Sequence, residues 1–461
     1  MGRFSVWLQA ILTACILCHG VLGKICTTTD EYFSITKLED VELLRDCDEV
    51  EGDIKIGPEV FGNIDLSGPK IVHGNITAIG IEGIGGIEGI RSINITISSS
   101  TLTTVDGSFL VAGQLKFAPA VNNISLPRLN TVGNTFSISG LPTLTYLDVT
   151  DLHTFAHFEL STPRLSTLKH TEVRNVTGKR ASNGIFIAET NLESMDSLFN
   201  NNISINSVSV YSSIGLKRVT VGFNNVGSLM VSNSGNDDGL EIVLGGQDTV
   251  SMQLGYITLT HGCVALKRSD QLQTLTVNSF VSYYNNWTHL HLPFDQLSIF
   301  RAFNEQTLKW ISIPPQAMQW ADFSLYINGN PNLNLSSEYM IGENGELVRS
   351  WYWPQNDMKM ISISGGLVTN AFFDSFLEYH NATVSNVKKP KVVDSFRLYP
   401  NTSSNVDCKP FEMLATDGIL HDFGCYVNVE DSSAYSWREK SLFATTLAAA
   451  VVVGTIVCNT A

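Results

Sequence analysis

A phrase that occurs three times between residues 125 and 168 decides the fold class of this chain. It reads Ser-Leu-Pro-Arg-Leu-Asn-Thr-Val at 125–132, Gly-Leu-Pro-Thr-Leu-Thr-Tyr-Leu at 140–147 and Ser-Thr-Pro-Arg-Leu-Ser-Thr-Leu at 161–168. Apolar residues recur at matched places in each copy, and alternating segments such as Phe136-Ser-Ile138 follow the phrase. This alternation is typical of short strands that bury one face. The stretch therefore predicts an internal repeat with one short strand per copy.

A single repeat of roughly 20 to 29 residues cannot bury its apolar face alone, so neighbouring repeats must stack. We therefore predict a mostly β fold, an elongated parallel β-solenoid whose interior is a ladder of Ile, Leu, Val and Phe. Similar alternating segments occur at 51–56, 63–66 and 74–79, and again at 327–335, 361–365 and 392–398. Between about 208 and 353 the phrase is absent, and only short alternating runs predict further rungs.

The length admits two or three ordinary domains or one long repeat array, and the repeats favour the array. The composition excludes one class of partner. The 461 residues carry a formal net charge of -15, and only 16% of them are charged. A chain with this acidic balance is not expected to bind nucleic acid. We expect no cofactor.

The N-terminus has the layout of a secretory signal peptide. Arg3 precedes an apolar run from Val6 to Leu17, and the small residues before Lys24 end in Gly23. The apolar run is nearer 12 residues than the roughly 20 needed to span a membrane. We therefore predict that residues 1–23 are a signal peptide and that the mature protein is secreted.

The C-terminus matches a glycosylphosphatidylinositol (GPI) attachment signal. Small residues at 432–434 are followed by a polar spacer at 435–441 and an apolar run at 442–458. No Lys or Arg follows the run, as would be usual for a retained membrane helix. We predict lipid attachment at Ser433, or Ser432 as the near alternative, after a short juxta-anchor segment at 428–433, with 434–461 removed. The expected location is the outer face of the plasma membrane, the cell wall, or both.

Five cysteines remain after this predicted trimming. In an oxidising compartment the two close-spaced pairs invite the bridges Cys26–Cys47 and Cys408–Cys425. Each bridge would fix one terminal rung, where a solenoid is otherwise open. We expect Cys263 to be buried and unpaired.

Asn-x-Ser/Thr sequons are distributed along most of the mature chain. A glycan cannot be buried, so this distribution favours a thin body with surface all along its length. The predicted N-glycosylation sites are Asn75, Asn94, Asn123, Asn175, Asn202, Asn286, Asn334, Asn381 and Asn401.

The two ends of the chain carry a specific resemblance. The segments are Asp46-Cys47 with Glu51-Gly-Asp-Ile-Lys-Ile56, and Asp407-Cys408-Lys-Pro-Phe411 with Phe423-Gly-Cys425. They resemble fungal GPI-anchored cell-wall organisation proteins of the sporulation-specific type. That family is similar to the receptor L-domain, a leucine-rich right-handed β-solenoid, and the likeness is weak from about 208 to 320.

The resemblance implies two L-domain-like solenoid halves, residues 24–207 and 208–427. It also implies a non-enzymatic role in organising the fungal cell wall or spore wall. Relatives carry a long Ser/Thr-rich stalk before the anchor, whereas here only residues 427–434 intervene. We therefore expect a body held close to the membrane.

Two groups of residues invite a chemical reading. The adjacent residues Asp237 and Asp238 lie about one rung before His261. Paired carboxylates cleave glycosidic bonds in some β-helix enzymes. The segment Asn236-Asp-Asp-Gly239 is also good turn chemistry, so we expect no catalytic site there. His289 and His291 share one strand face, but without a third ligand they predict a solvated strand and no metal.

Aromatic clusters leave the choice of partner open. There are two such clusters, Trp351 with Trp353 and Tyr283 with Trp287. Their side chains either offer flat faces to sugar rings or pack into the core. We expect the membrane as a partner through the lipid, and cell-wall polysaccharide is a candidate. The alternatives are a glycan-processing β-helix enzyme and a receptor-like module for a protein ligand that the sequence does not name.

Overall fold

The computed structural model describes residues 23–427 except 59, 80–93, 114–119, 179–182, 197, 200–202, 236–238, 263, 343 and 382–392. For residues 28–31, 94, 120 and 381 it describes the backbone alone. Strands make up 49% and helices 9%, and the strands form a parallel β-solenoid of about 15 turns. The predicted mostly β solenoid is therefore confirmed.

The chain forms two compact units. Among the described residues, 23–281 with Pro293–Asp295 belong to the first, and Ser282–Leu292 with 296–427 belong to the second. The predicted division into halves at 207 and 208 stays a prediction. The first 24 strands, the last of which ends two residues beyond Val281, are β1 (Ile25–Ile35), β2 (Glu49–Ile56), β3 (Asn63–Asp65), β4 (Ile71–Val72), β5 (Ile76–Ile79), β6 (Asn94–Ser98), β7 (Thr104–Val105), β8 (Phe109–Ala112), β9 (Ala120–Ser125), β10 (Thr131–Val132), β11 (Thr135–Ser139), β12 (Tyr146–Val149), β13 (Thr154–Phe155), β14 (His157–Ser161), β15 (Thr167–His170), β16 (Asn175–Val176), β17 (Gly184–Ala188), β18 (Ser204–Tyr211), β19 (Arg218–Val221), β20 (Asn225–Ser232), β21 (Leu240–Leu244), β22 (Ser251–Thr260), β23 (Val264–Arg268) and β24 (Thr274–Tyr283).

The second unit contains the remaining strands and the two described α-helices. Its strands are β25 (His289–His291), β26 (Gln296–Phe303), β27 (Trp310–Ser312), β28 (Phe323–Asn328), β29 (Asn334–Leu335), β30 (Tyr339–Ile341), β31 (Leu347–Arg349), β32 (Met358–Ser364), β33 (Leu367–Val368), β34 (Val393–Tyr399) and β35 (Leu420–Cys425). Its helices are α1 (Asp374–Asn381) and α2 (Lys409–Thr416), and short 3-10 helices span Leu38–Leu44, Pro315–Gln319 and Asn370–Phe373.

The repeated phrase forms the corners of the solenoid. In its first copy the amide of Leu129 bonds to the carbonyl of Leu126 at 3.1 Å, with Pro127 second in the turn. Leu144 and Leu165 make the equivalent bonds in the other two copies. Proline suits the second position of such a turn because its φ is already fixed near the required value. The phrase therefore encodes a tight turn whose leucines point inward, and strands follow it.

In the first unit, strands β5, β8, β11, β14, β17, β18, β20 and β22 stack in parallel register. Phe109, Phe136 and Phe158 occupy one inward column, and neighbouring ring centroids lie 5.4 and 5.3 Å apart. All three side chains are fully buried. In these three rungs, each ring therefore stacks on the ring of the next rung.

The region without the phrase still forms regular rungs. Strands β18, β20 and β22 lie in this region, and β22 is ten residues long. Val208, Leu229 and Ile257 continue one inward column and are fully buried. Alternation alone is therefore enough to form rungs here.

In the second unit, strands β26, β28, β32, β34 and β35 stack in parallel register. Their inward column contains Phe300, Leu325, Ile361 and Phe396, and all four are fully buried. Strands β30 and β31 form an antiparallel hairpin beside this stack. No helix among the described residues is both long and apolar enough to cross a membrane.

Both predicted bridges are present near the ends of the described chain. Cys26 on β1 is joined to Cys47, and Cys408 before α2 is joined to Cys425 at the end of β35. The sequence separations are 21 and 17 residues. The prediction of disulfides near both ends is confirmed, whereas Cys263 lies outside the described residues.

Candidate functional site

His261 lies at a corner that follows a strand. Its φ is 51°, in the left-handed region, and the residue comes directly after β22. Ser212 and Asn233 occupy the matching corners of earlier rungs, with φ of 46° and 47°. The left-handed backbone at His261 is therefore a recurrent feature of the corners of this fold and does not require a catalytic role. Asp237 and Asp238 lie outside the described residues, so the predicted absence of a catalytic cluster stays a prediction.

His289 and His291 lie on one exposed face of β25, as the sequence indicated, with buried Leu290 between them. Their partners on β27 are Trp310 and Ser312, neither of which is a common metal ligand. Within the described part of the chain, no three His, Cys, Asp or Glu side chains are arranged to hold a metal.

The tryptophans singled out by the sequence are core residues. Trp351, Trp353 and Trp287 are 1%, 4% and 5% exposed, which leaves no face for a sugar ring. Trp353 stacks on Phe373 at 5.3 Å and donates a hydrogen bond from its indole nitrogen to the carbonyl of Phe372. Packing, rather than glycan stacking, is therefore the role of these three side chains.

A buried carboxyl group lies inside the second unit and was missed from the sequence. Glu305 is fully buried, and its carboxylate accepts hydrogen bonds from the hydroxyl of Ser282 and, at 2.6 Å, from the amide of Asn285. Its own amide bonds to the side-chain oxygen of Asn330 at 2.8 Å. Burial raises the pKa of the Glu305 carboxyl to about 7, although the bonds from Ser282 and Asn285 act in the opposite direction.

A second buried carboxylate fixes the base of the β30–β31 hairpin. The side chain of Glu338 is 4% exposed and pairs with Arg349 at 2.7 Å. Ser375 at the start of α1 donates its amide and its hydroxyl to the same carboxylate, at 2.8 and 2.6 Å. The network holds hairpin and helix together beside a cleft of about 320 Å³, lined in part by Trp353 and Tyr379. Its groups satisfy one another, which indicates a structural role.

The outward face of the β26–β35 stack carries aromatic, basic and small polar side chains. Arg301 lies over the ring of Tyr326, 5.0 Å from its centroid. Tyr399 stacks on Tyr426 with centroids 4.8 Å apart and ring planes 2° apart. Tyr283, which the sequence offered as a sugar platform, is half-buried and stacks on Phe303 at 5.2 Å. This face therefore combines aromatic, basic and hydroxyl groups that a polar ligand can contact.

The predicted glycosylation sites differ in accessibility. Asn175 and Asn286 are exposed, and Asn123, Asn334 and Asn401 are half-exposed. Asn75 is different because its side-chain nitrogen donates to Asp53 at 3.0 Å and its oxygen accepts from the amide of Ser108 at 2.8 Å.

That oxygen packs over Gly107, where a Cβ atom would lie 2.4 Å from it. Asn75 therefore closes a turn between rungs. Asn202 and the side chains of Asn94 and Asn381 lie outside the described part, as do residues 1–22 of the predicted signal peptide and the predicted anchor residues Ser432 and Ser433.

Comparison with known proteins gives a weak match to a curated fungal protein. No family model matches the chain, and no solved structure matches it. A protein named ecm33 from Aspergillus fumigatus is 22% identical over 242 residues, which are 52% of this chain and 49% of that protein. The chain therefore spans about half the length of the curated relative it matches. This chain is therefore weakly similar, over about half its length, to a fungal protein named ecm33.

Proposed function

We propose that this chain is a non-enzymatic glycoprotein of the fungal cell surface that helps to organise the cell wall. A GPI lipid on Ser433, or on Ser432, holds it on the outer face of the plasma membrane, and transfer to wall glucan places it in the wall. A wall or spore-wall role follows from the resemblance of the chain ends and is supported by the similarity to fungal ecm33.

One structural observation supports this proposal above the others. The described chain is a solenoid with a disulfide near each end, and two carboxylates buried inside it are bound by neighbouring groups of the fold. Glu305 and Glu338 each accept several hydrogen bonds from neighbouring rungs or elements. Such a body is suited to display an outer surface in an oxidising environment.

The experiment replaces the candidate catalytic residues together. Because His261 occupies a left-handed corner, where asparagine is well tolerated, the variant is Asp237→Asn, Asp238→Asn and His261→Asn. In cells that lack the native gene, we expect this variant to reach the surface and to restore resistance to wall-binding dyes. A variant that reaches the surface but fails to restore resistance, and that has lost a glycan-cleaving activity of the wild type, would establish the enzyme alternative.

A further inference from the structure

The outward face of the second unit contains a slot between two tyrosines. Strand β32 carries the small residues Ser362 and Ser364 on this face. Tyr326 of β28 lies in register with Ser362, and Tyr399 of β34 lies in register with Ser364. The serines therefore form the floor of the slot, and the tyrosines stand on opposite sides of it.

Each tyrosine has one ring face covered by its outer neighbour. Arg301 of β26, in register with Tyr326, lies over that ring. Tyr426 covers Tyr399 in a parallel stack. Since the covering groups lie on the sides away from β32, the opposite ring faces are directed over Ser362 and Ser364. The slot thus has an aromatic face on each side.

The dimensions follow from strand geometry. Strands β28 and β34 are two spacings apart, roughly 9.6 Å, and the tyrosines are offset by two residues, roughly 6.6 Å, along the strand direction. The hydroxyl of Ser364 donates to the side-chain oxygen of Asn328 at 2.6 Å. A flat ring with polar edges can therefore lie against either tyrosine while its edges reach hydroxyl and amide groups.

Other outward aromatic pairs have their two rings directly against each other, with no slot between them. Tyr283 and Phe303 stand on one face as a stacked pair at 5.2 Å, so each ring covers the other. In the first unit, Phe186 and Tyr211 also lie together, at 5.5 Å. In the slot, by contrast, small side chains separate the rings by one whole rung.

Charge selects the class of ligand. Arg397, in register with Ser362 on the β34 side, is bound to Asp422, so its charge is compensated. The chain as a whole has a net charge of -15, which disfavours acidic polymers. None of the sequons lies in β26, β28, β32, β34 or β35, so no predicted glycan arises from the strands of this face. Aromatic faces, hydroxyls and the compensated charge of Arg397 match a neutral sugar ring, which is apolar on its faces and polar at its edges.

We propose that this slot binds a neutral polysaccharide chain, with successive sugar rings against Tyr326 and Tyr399. The inference rests on the proposed function for the choice of polymer, since a protein of the cell surface meets neutral wall glycans.

The test compares one variant that fills the slot with another that removes a wall of it. Ser362→Phe places a ring between Tyr326 and Arg397 on the outward face, away from the core, so the fold should keep its stability. Tyr326→Ala removes one stacking face. The matched control is Ser209→Phe, which adds a ring beside Phe186 on the same outward face of the first unit.

Mature protein purified from the producing cells is titrated with soluble β-1,3-glucan, mannan and chitin oligosaccharides, and with polygalacturonate as an acidic comparison. We expect binding to at least one neutral polymer and none to polygalacturonate. Ser362→Phe and Tyr326→Ala should each weaken binding by about tenfold or more, whereas Ser209→Phe should bind like the wild type.

Unfolding temperatures measured on the same samples show that each variant is folded. Equal binding by wild type and Ser362→Phe, or no binding of the wild type to any of the neutral polymers, would overturn the proposed site. If binding were absent while the protein still restored wall resistance in cells, the proposed binding site would be wrong and the proposed function would stand.

Discussion

The hydroxyl of Ser282 donates a hydrogen bond to the carboxyl group of Glu305, and both side chains are fully buried in the second unit. Ser282 also accepts bonds from the side-chain nitrogens of Asn285, at 2.9 Å, and Trp287, at 3.0 Å. A carboxyl group in this position is satisfied by hydrogen bonds but has lost its hydration. The proton on Glu305 is therefore coupled to the stability of the fold.

The first prediction concerns pH. Burial raises the folded-state pKa of Glu305 from 4.5 to about 7, so the folded protein holds this proton more tightly than the unfolded chain. The unfolding free energy contributed by this group is greatest below about pH 4.5 and falls as the pH rises to about 7, by on the order of 3 kcal/mol. Glu305→Gln should remove this dependence, because an amide does not ionise.

Thermal unfolding of wild type and variant between pH 4 and 8 measures this effect. The matched control is Glu159→Gln, which changes a half-exposed carboxylate that accepts a bond from Ser137 at 2.9 Å. The control should keep the wild-type slope. A Glu305→Gln protein whose stability still fell over this range as the wild type's does would show that another group is responsible.

The second prediction concerns the end bridges. Removing either bridge as a double Cys→Ser variant should lower the unfolding free energy by about 3 kcal/mol, from the entropy of closing loops of this length. The terminal rungs should lose protection from hydrogen exchange before the central ones, because neighbouring rungs stabilise only one another. Non-reducing peptide mapping that linked Cys263 to any of the four bridged cysteines would contradict the expected pairing.

The third prediction compares two neighbouring residues in one corner. Leu129 is fully buried, whereas Arg128 beside it is exposed. Leu129→Asp would bury a carboxylate without a partner, so we expect a loss of several kcal/mol and retention in the secretory pathway. Arg128→Asp should change stability by no more than about 0.5 kcal/mol and should be secreted normally. Secretion of both variants at equal levels would argue against an inward leucine at this corner.

The fourth prediction concerns glycan occupancy. We expect a glycan at Asn286, which is exposed, and lower occupancy at Asn75, whose side-chain amide is hydrogen-bonded on both sides. Asn286→Gln should remove one glycan mass and leave stability nearly unchanged. Asn75→Gln should destabilise the turn over Gly107. Intact-protein and glycopeptide mass spectrometry measure occupancy, and full occupancy at Asn75 together with none at Asn286 would reverse this assignment.

Much of the fold was predictable because solenoid rungs are encoded locally. The phrase at 125–132 predicted repeats and strands, and Leu126 and Leu129 are buried in a corner as a stacked array requires. Between residues 208 and 353 the phrase gave no guide, yet alternation at Val208 and Val210 was enough to form a rung.

The network around Glu305 was not predictable. Ser282 and Asn285 lie at the corner that ends β24, whereas Glu305 lies at the corner after β26, and their contacts depend on a register that the local pattern does not reveal. The tyrosine slot was not predictable for the same reason. Tyr326 and Tyr399 are 73 residues apart in sequence, and only the fold places them on opposite sides of β32. The role of the tryptophans could not be predicted for a different reason. An aromatic side chain suits both a sugar-binding surface and a buried core, and the sequence alone does not show which of the two it occupies.

The most direct test of the surface-anchored role, and the fifth prediction, is release of the protein from intact fungal cells. We predict that a GPI-specific phospholipase frees it from membranes, that glucanase frees any fraction transferred to the wall, and that its C-terminal peptide ends at Ser433 or Ser432. A mature protein that resisted both enzymes and still contained Trp437 by mass spectrometry would contradict the account.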